Sequence, residues 1–197
     1  ESLRFICQNQ RLQVPVAGKH NVYNVLAAVV LARELGIGWD TILPKIATLN
    51  LPPLRMQIQH FPTFIVISDC YNASPQAVTA ALQMLADFPG KRKIAVLGSM
   101  LELGEQTAAI HYEIGQQVAS RKIDRLLTAG SETTALVEGC IASGMDKSKI
   151  VHCEKTEEIF GLLSPLLQSG DVILLKASRR LQFEKILEKL EENFRKQ

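Results

Sequence analysis

Between residues 64 and 195 the sequence alternates five times between a short apolar run and a longer stretch with helical spacing. The runs fall near residues 64–68, 93–97, 125–129, 149–152 and 172–175, and the helical stretches near 75–88, 106–121, 132–143, 155–168 and 180–195. Strands joined through helices run parallel and are buried on both faces. The alternation therefore predicts an α/β fold, a Rossmann-like, mostly parallel sheet with helices on both faces. The last stretch carries Phe183, Ile186, Leu187, Leu190 and Phe194 on one stripe with charges elsewhere, which reads as a helix with a solvated outer face.

The polar residues gather where the apolar runs stop. In Phe64-Ile-Val-Ile-Ser-Asp-Cys-Tyr-Asn-Ala-Ser-Pro75, Ser74 suits a helix N-cap and Pro75 the first helical position. Asp69, Tyr71, Asn72 and Ser74 are thereby expected at the carboxyl end of a strand, where open α/β sheets bind ligands. Lys93-Ile-Ala-Val-Leu-Gly-Ser-Met-Leu-Glu-Leu-Gly104 and Gly170-Asp-Val-Ile-Leu-Leu-Lys-Ala-Ser-Arg179 repeat the arrangement, adding Ser99, Glu102, Lys176, Ser178 and Arg179. Glu102 and His111 have the chemistry for acid–base work, while His111 equally suits a packed helix position.

The N-terminal part reads differently. Residues 1 to about 17 hold two short alternating runs, consistent with a hairpin at a sheet edge. Val22, Val25, Leu26 and Val29 then recur at helical spacing up to Gly36, and a shorter helix is expected from Trp39 to Leu49. Leu51-Pro52-Pro53 breaks the pattern and sets the expected boundary between residues 1–53 and 54–197. The chain begins with Glu1 rather than Met, as expected of a piece of a longer polypeptide.

A net charge of +2 with scattered basic residues gives no reason to expect nucleic acid or a membrane surface as partner. No run is long enough to span a bilayer and no signal peptide is evident. Cys7, Cys70, Cys140 and Cys153 are widely spaced with no clustered His, so a metal site or disulfide framework is not expected. A cytoplasmic monomer with reduced thiols is the expectation. Gly18-Lys19-His20 lacks the earlier Gly and the following Ser or Thr of a phosphate loop, and no Gly-x-Gly-x-x-Gly follows a strand.

The runs SDCYNASP, VLGSMLELGE followed by HYEIG, and VILLKASR, with GKHNVYNVLAA and Leu54-Arg-Met56, resemble the C-terminal half of the Mur ligases over nearly the whole chain. These are ATP-dependent amide-bond-forming enzymes of bacterial cell-wall synthesis, and the branch that adds D-alanyl-D-alanine is the most similar. The resemblance implies that residues 1–53 are the C-terminal part of the central ATP-binding domain and 54–197 the C-terminal domain. It implies an acyl phosphate made with ATP and Mg2+, with UDP-N-acetylmuramoyl-tripeptide and D-alanyl-D-alanine as substrates. Magnesium is expected mainly in a part of the central domain beyond this sequence, so the chain alone is expected to be inactive.

The same resemblance places Asn21 and Asn24 against adenine and gives Arg55 and Asp69 to the nucleotide from opposite sides of a hinge. It gives Lys176 and Ser178 to the incoming amino-acid substrate, with Arg179 beside them able to grip a carboxylate bidentately. Tyr71 and Asn72 suit an uncharged peptide backbone. Most have a plainer reading: Asn21 as a helix cap, Asn24 as a solvent-facing residue, Arg55 as a surface charge, Asp69 and Asn72 as turn formers, Lys176 as partner of a nearby acid, Arg179 as the start of the last helix. Ser68, Cys70, Ser74, Ser99 and Ala177 depart from the usual Asp, Ser, Asn, Asp and Gly of the family, removing two carboxylates. A sister ligase adding another amino acid or extending folate with glutamate, and a non-catalytic small-ligand module, remain alternatives.

Overall fold

The computed structural model describes residues 2–16, 18–50 and 54–195, apart from the side chain of His20. The Leu51-Pro52-Pro53 break lies outside the described residues. Two compact units are present, Glu1–Pro52 and Pro53–Gln197.

In the first unit, β1 (Leu3–Cys7) pairs antiparallel with β2 (Gln10–Val14), with Leu3 opposite Val14 and Cys7 opposite Gln10. Gln8 and Asn9 connect them with φ of +46° and +62°, the left-handed pair that a two-residue turn needs to match strand twist. Helices α1 (His20–Glu34) and α2 (Trp39–Ala47) complete the unit, and Leu12, Val14, Val25, Val29, Ile42 and Ile46 form its core. The hairpin was expected at the edge of a sheet; among the described residues it is a two-stranded sheet of its own. Helix α1 has apolar residues on more than one face, leaving Tyr23, Val30 and Leu31 exposed, as is Leu35 at its C-cap.

The second unit holds a six-stranded sheet in the order β3-β4-β8-β5-β6-β7, with β3 Gln57–His60, β4 Ile65–Ser68, β5 Arg92–Gly98, β6 Arg125–Ala129, β7 Ile150–Cys153 and β8 Asp171–Lys176. All pairs are parallel except β3 with β4, where Gln57 faces Ser68 and His60 faces Ile65. Five of these strands match the expected runs. Strand β3 was not foreseen, because Gln57-Ile-Gln-His60 carries one apolar residue, and an edge strand needs only backbone pairing to a strong neighbour.

The helices are α3 (Pro75–Asp87), α4 (Thr107–Ser120), α5 (Thr133–Ala142), α6 (Thr156–Leu163) and α7 (Glu184–Phe194). Val66, Ile94, Val96, Leu127, Ile173 and Leu175 pack with residues of α6 and α7 in one apolar cluster. Alternate residues point the other way, toward α3, α4 and α5. Two helices stop short of expectation. Pro165 turns the end of α6 into a 3₁₀ turn, Ser164–Leu166, and Gln182 at φ +50° separates a 3₁₀ turn at Arg179–Leu181 from α7.

The topology creates a crevice. Strands β4 and β5 lead at their carboxyl ends to α3 and α4 on one face, while β8, between them, leads to α7 on the other. Backbone departing to opposite faces from neighbouring strands opens the sheet edge that ligands occupy in such folds.

Candidate functional site

At the end of β4 the chain forms the expected turn. Ser74 accepts a hydrogen bond from Ala77 N at 3.3 Å, Pro75 opens α3, and the side chain of Asn72 accepts one from Ala73 N at 2.8 Å. Beneath this turn lies Lys176, the last residue of β8, only 2% exposed. Its Nζ is 2.5 Å from Asp69 Oδ2 and donates to Asn72 O at 2.7 Å and Asp69 O at 3.3 Å. An ammonium group has three protons, and here each has an acceptor. A buried cation without such partners would cost several kcal/mol, so the turn and the lysine require each other.

The remaining oxygen of Asp69, Oδ1, accepts a hydrogen bond from Met56 N at 3.2 Å. Residues 54–56 are thereby drawn onto the turn, and two further bonds fix them: Leu54 N donates to Gln57 Oε1 at 3.0 Å, and Tyr71 N donates to Leu54 O at 3.1 Å. Leu54 and Met56 adopt φ of +62° and +46°, left-handed values that non-glycine residues hold only when surroundings impose them. Between them Arg55 is exposed, its guanidinium 4.2 Å from the centre of the half-exposed Tyr71 ring, a cation–π contact. The structure thus brings Arg55, Asp69, Tyr71, Asn72 and Lys176 together within the second unit, so Arg55 and Asp69 stand on one side of the expected hinge and not on opposite sides of it.

Ser178 and Arg179 follow on the same strand end. Ser178 accepts a hydrogen bond from Leu101 N at 3.0 Å and donates its own N–H to Ser99 O at 3.3 Å, tying the loop after β5 to that after β8. Arg179 is exposed and forms an ion pair of 2.6 Å with Glu184, the first residue of α7. Such an exposed pair is worth little, so the guanidinium can exchange one carboxylate for another at small cost.

His111, fully buried, accepts a hydrogen bond from Met100 N at Nε2, 3.0 Å, while Nδ1 lies 2.7 Å from Thr107 O. The first contact leaves Nε2 without a proton and the second needs one on Nδ1, so the ring is a neutral Nδ1–H tautomer that braces the loop. Burial lowers its pKa. The packed reading of this histidine is the one observed. Glu102 stands exposed at φ +66° in that loop.

Two further side chains belong to this site beyond those expected from the sequence. Glu132, after β6, accepts a 2.6 Å hydrogen bond from Ser99 Oγ, which holds its carboxyl below the usual range and returns a carboxylate to the strand end where Ser99 lacks one. Its place just after Gly130-Ser131 at a strand end was a legible signal. Gln57 carried none, because its role depends on where Leu54 is folded back.

Asn21 and Asn24 belong to the first unit. Asn21 is 5% exposed and lies inside α1 rather than at its cap, since α1 starts at His20 with Lys19 before it. Asn24 Nδ2 donates to Asn21 Oδ1 at 3.0 Å. Both line a groove of about 380 Å³ between α1 and α2, otherwise walled mainly by apolar residues such as Val25, Val29, Ile42 and Ile46. Among the described residues no three His, Cys, Asp or Glu side chains gather to hold a metal, and no helix is long and apolar enough to cross a membrane.

A family model for the glutamate ligase domain of Mur ligases matches residues 54–179. The chain belongs to the Mur ligase family. It is 32% identical over 182 residues to the UDP-N-acetylmuramoyl-tripeptide–D-alanyl-D-alanine ligase of Bacillus subtilis, covering 91% of this chain and 40% of that Mur ligase. Its fold is similar to MurF from Acinetobacter baumannii, with a TM-score of 0.85 at 26% identity over 98% of this chain and 42% of that one. MurF ligase from Thermotoga maritima in complex with ADP gives a TM-score of 0.81 at 27% identity over 99% and 44%. The chain thus spans about two fifths of the length of the Mur ligases it matches.

Proposed function

We propose that the polypeptide carrying this chain is a cytoplasmic ATP-dependent ligase that joins D-alanyl-D-alanine to UDP-N-acetylmuramoyl-tripeptide, supplying peptidoglycan for cell shape and division. The observation that carries this reading is the strand-end cluster in which Lys176 and Asp69 hold the Arg55–Tyr71 pair, in a chain similar to D-alanyl-D-alanine ligases over 91% of its length. Residues 1–53 then correspond to the end of an ATP-binding domain and 54–197 to the C-terminal domain.

In the proposed reaction the tripeptide carboxylate takes the γ-phosphoryl group of ATP, releasing ADP. The amine of the dipeptide attacks the acyl phosphate carbonyl, loses a proton, and inorganic phosphate leaves. Arg55 offers an exposed guanidinium to the nucleotide, and each oxygen of Asp69 keeps a second lone-pair direction for a ribose hydroxyl. Asn21 and Asn24 offer amide groups suited to an adenine edge at the mouth of an apolar groove. Ser178 and Arg179 suit the dipeptide carboxylate, and the exposed Tyr71 and Asn72 its backbone. Lys176, given to that substrate by resemblance, has no donor left for it in this arrangement, so its part is indirect. Among the described residues no three His, Cys, Asp or Glu side chains gather as ligands for a magnesium ion.

The test is mass spectrometry of products from the whole ligase with ATP, magnesium, UDP-N-acetylmuramoyl-tripeptide and a panel of amine acceptors, with the 197-residue chain alone in parallel. Product heavier by one D-alanyl-D-alanine unit from the whole ligase, and none from the chain alone, is expected. Product with another acceptor would assign a sister ligase, and no product with any acceptor would refute ligation.

A further inference from the structure

We infer that Lys176 is a positioning residue: it acts through Asp69 and Asn72 to hold Arg55 and Tyr71 in place, and does not itself meet the amine acceptor. Strand alternation sends Ile173 and Leu175 into the cluster with α6 and α7, so Lys176 points to the opposite face, into the gap under the β4–α3 turn. There it is among the largest fully buried side chains. All three ammonium protons are spent on the turn, so reaching an acceptor carboxylate would mean breaking one of those bonds inside the protein.

The contacts continue outward in one direction. Lys176 fixes both ends of the Asp69–Asn72 turn; Asp69 Oδ1 takes Met56 N, and Tyr71 N takes Leu54 O; between those two anchors the left-handed Leu54 and Met56 present Arg55 over Tyr71. The two exposed side chains at the end of this line are held by bonds that converge on one buried cation. Gln57 closes the neighbouring 54–57 segment by accepting Leu54 N at 3.0 Å, which makes it a second support for Arg55.

The kinetic half of the test rests on the ligase reading above, and the structural half does not. In the 197-residue chain, amide exchange followed by NMR in K176M is expected to run at least tenfold faster than wild type at Met56 and Tyr71, with Ile94 and Val96 of β5 unchanged; unchanged exchange at both positions would overturn the inference. In the whole ligase, K176M is expected to raise KM for ATP about tenfold and KM for the dipeptide less than threefold, whereas a rise confined to the dipeptide would overturn it. Should K176M fail to fold, K176R keeps a cation at this position but does not give the three protons the same three acceptors. A severalfold rise in KM for ATP would then support the inference, and no change, or a rise for the dipeptide alone, would overturn it. Absence of ligation by the wild-type enzyme is a separate result, which removes the ligase reading and leaves the exchange measurement standing.

Discussion

Gly115→Ala sets two physical effects against each other, and the sign of the result decides between them. In a solvated helix the change stabilises by about 1 kcal/mol, because alanine loses less backbone freedom on folding. At this position, however, a Cβ would lie 2.0 Å from Leu136 O and 2.8 Å from Cys140 N, and Gly139 across the seam is equally tight, 2.1 Å from Tyr112 O. The obstructing atoms are main chain, so no rotamer change relieves them and α4 must move away from α5. Overpacking of this kind costs up to about 3 kcal/mol, and parting the helices also weakens the 3.1 Å contact from Cys140 Sγ to Gly115 O, worth about 0.5 kcal/mol. Less the helix-propensity gain of about 1 kcal/mol, the expected loss is up to about 2.5 kcal/mol, a fall in Tm of up to roughly 10 °C for a domain of this size. Urea and thermal melts of the two proteins check it. The G115A/G139A double variant should lose less than the sum of the singles, since the first already opens the shared seam. An unchanged or raised Tm in G115A would refute the packing argument.

Acid should weaken the fold in two stages. Burial holds His111 below its ordinary 6.5 and the Ser99 hydrogen bond holds Glu132 below its ordinary 4.5, so in both cases the unfolded chain takes up the proton first. Stability is therefore fully present above pH 6.5, falls below it, and falls again below 4.5; urea midpoints from pH 8 to 4 should follow this course, H111Q should flatten the first stage, and a rising midpoint between pH 7 and 5 would refute it. Burial pushes the thiols of Cys70 and Cys140 up to about 12 and that of Cys153 up to about 11, so at pH 8 a disulfide reagent should label Cys7 alone among the four free cysteines. Rapid labelling of a second thiol in the native chain would contradict that.

The five parallel strands, their crossover helices and the Ser74–Pro75 helix start were legible in the sequence, because each rests on local periodicity or on a cap whose partners lie within four residues. The strand-end rule located Asp69, Tyr71, Asn72, Lys176, Ser178 and Arg179 for the same reason: the place where an apolar run stops is a property of neighbours along the chain. Pairing is not such a property. That Ser99 would meet Glu132, thirty-three residues on, and that Gln57 would accept the amide of Leu54 depended on which strands lie side by side and where the chain folds back.

Lys176 shows the division most plainly. Hydropathy and spacing, carried by consecutive residues, were enough to put a lysine at the end of the last strand of a mostly parallel sheet in a Mur-type motif. Whether its charge would face a substrate or the protein was decided by tertiary structure. Strand β8 lies inside the sheet, next to β4, which puts the ammonium under a turn more than a hundred residues away in sequence, where two carbonyls and a carboxylate converge. A buried cation takes the acceptors that its desolvation makes necessary, and only the folded chain brings those acceptors to it.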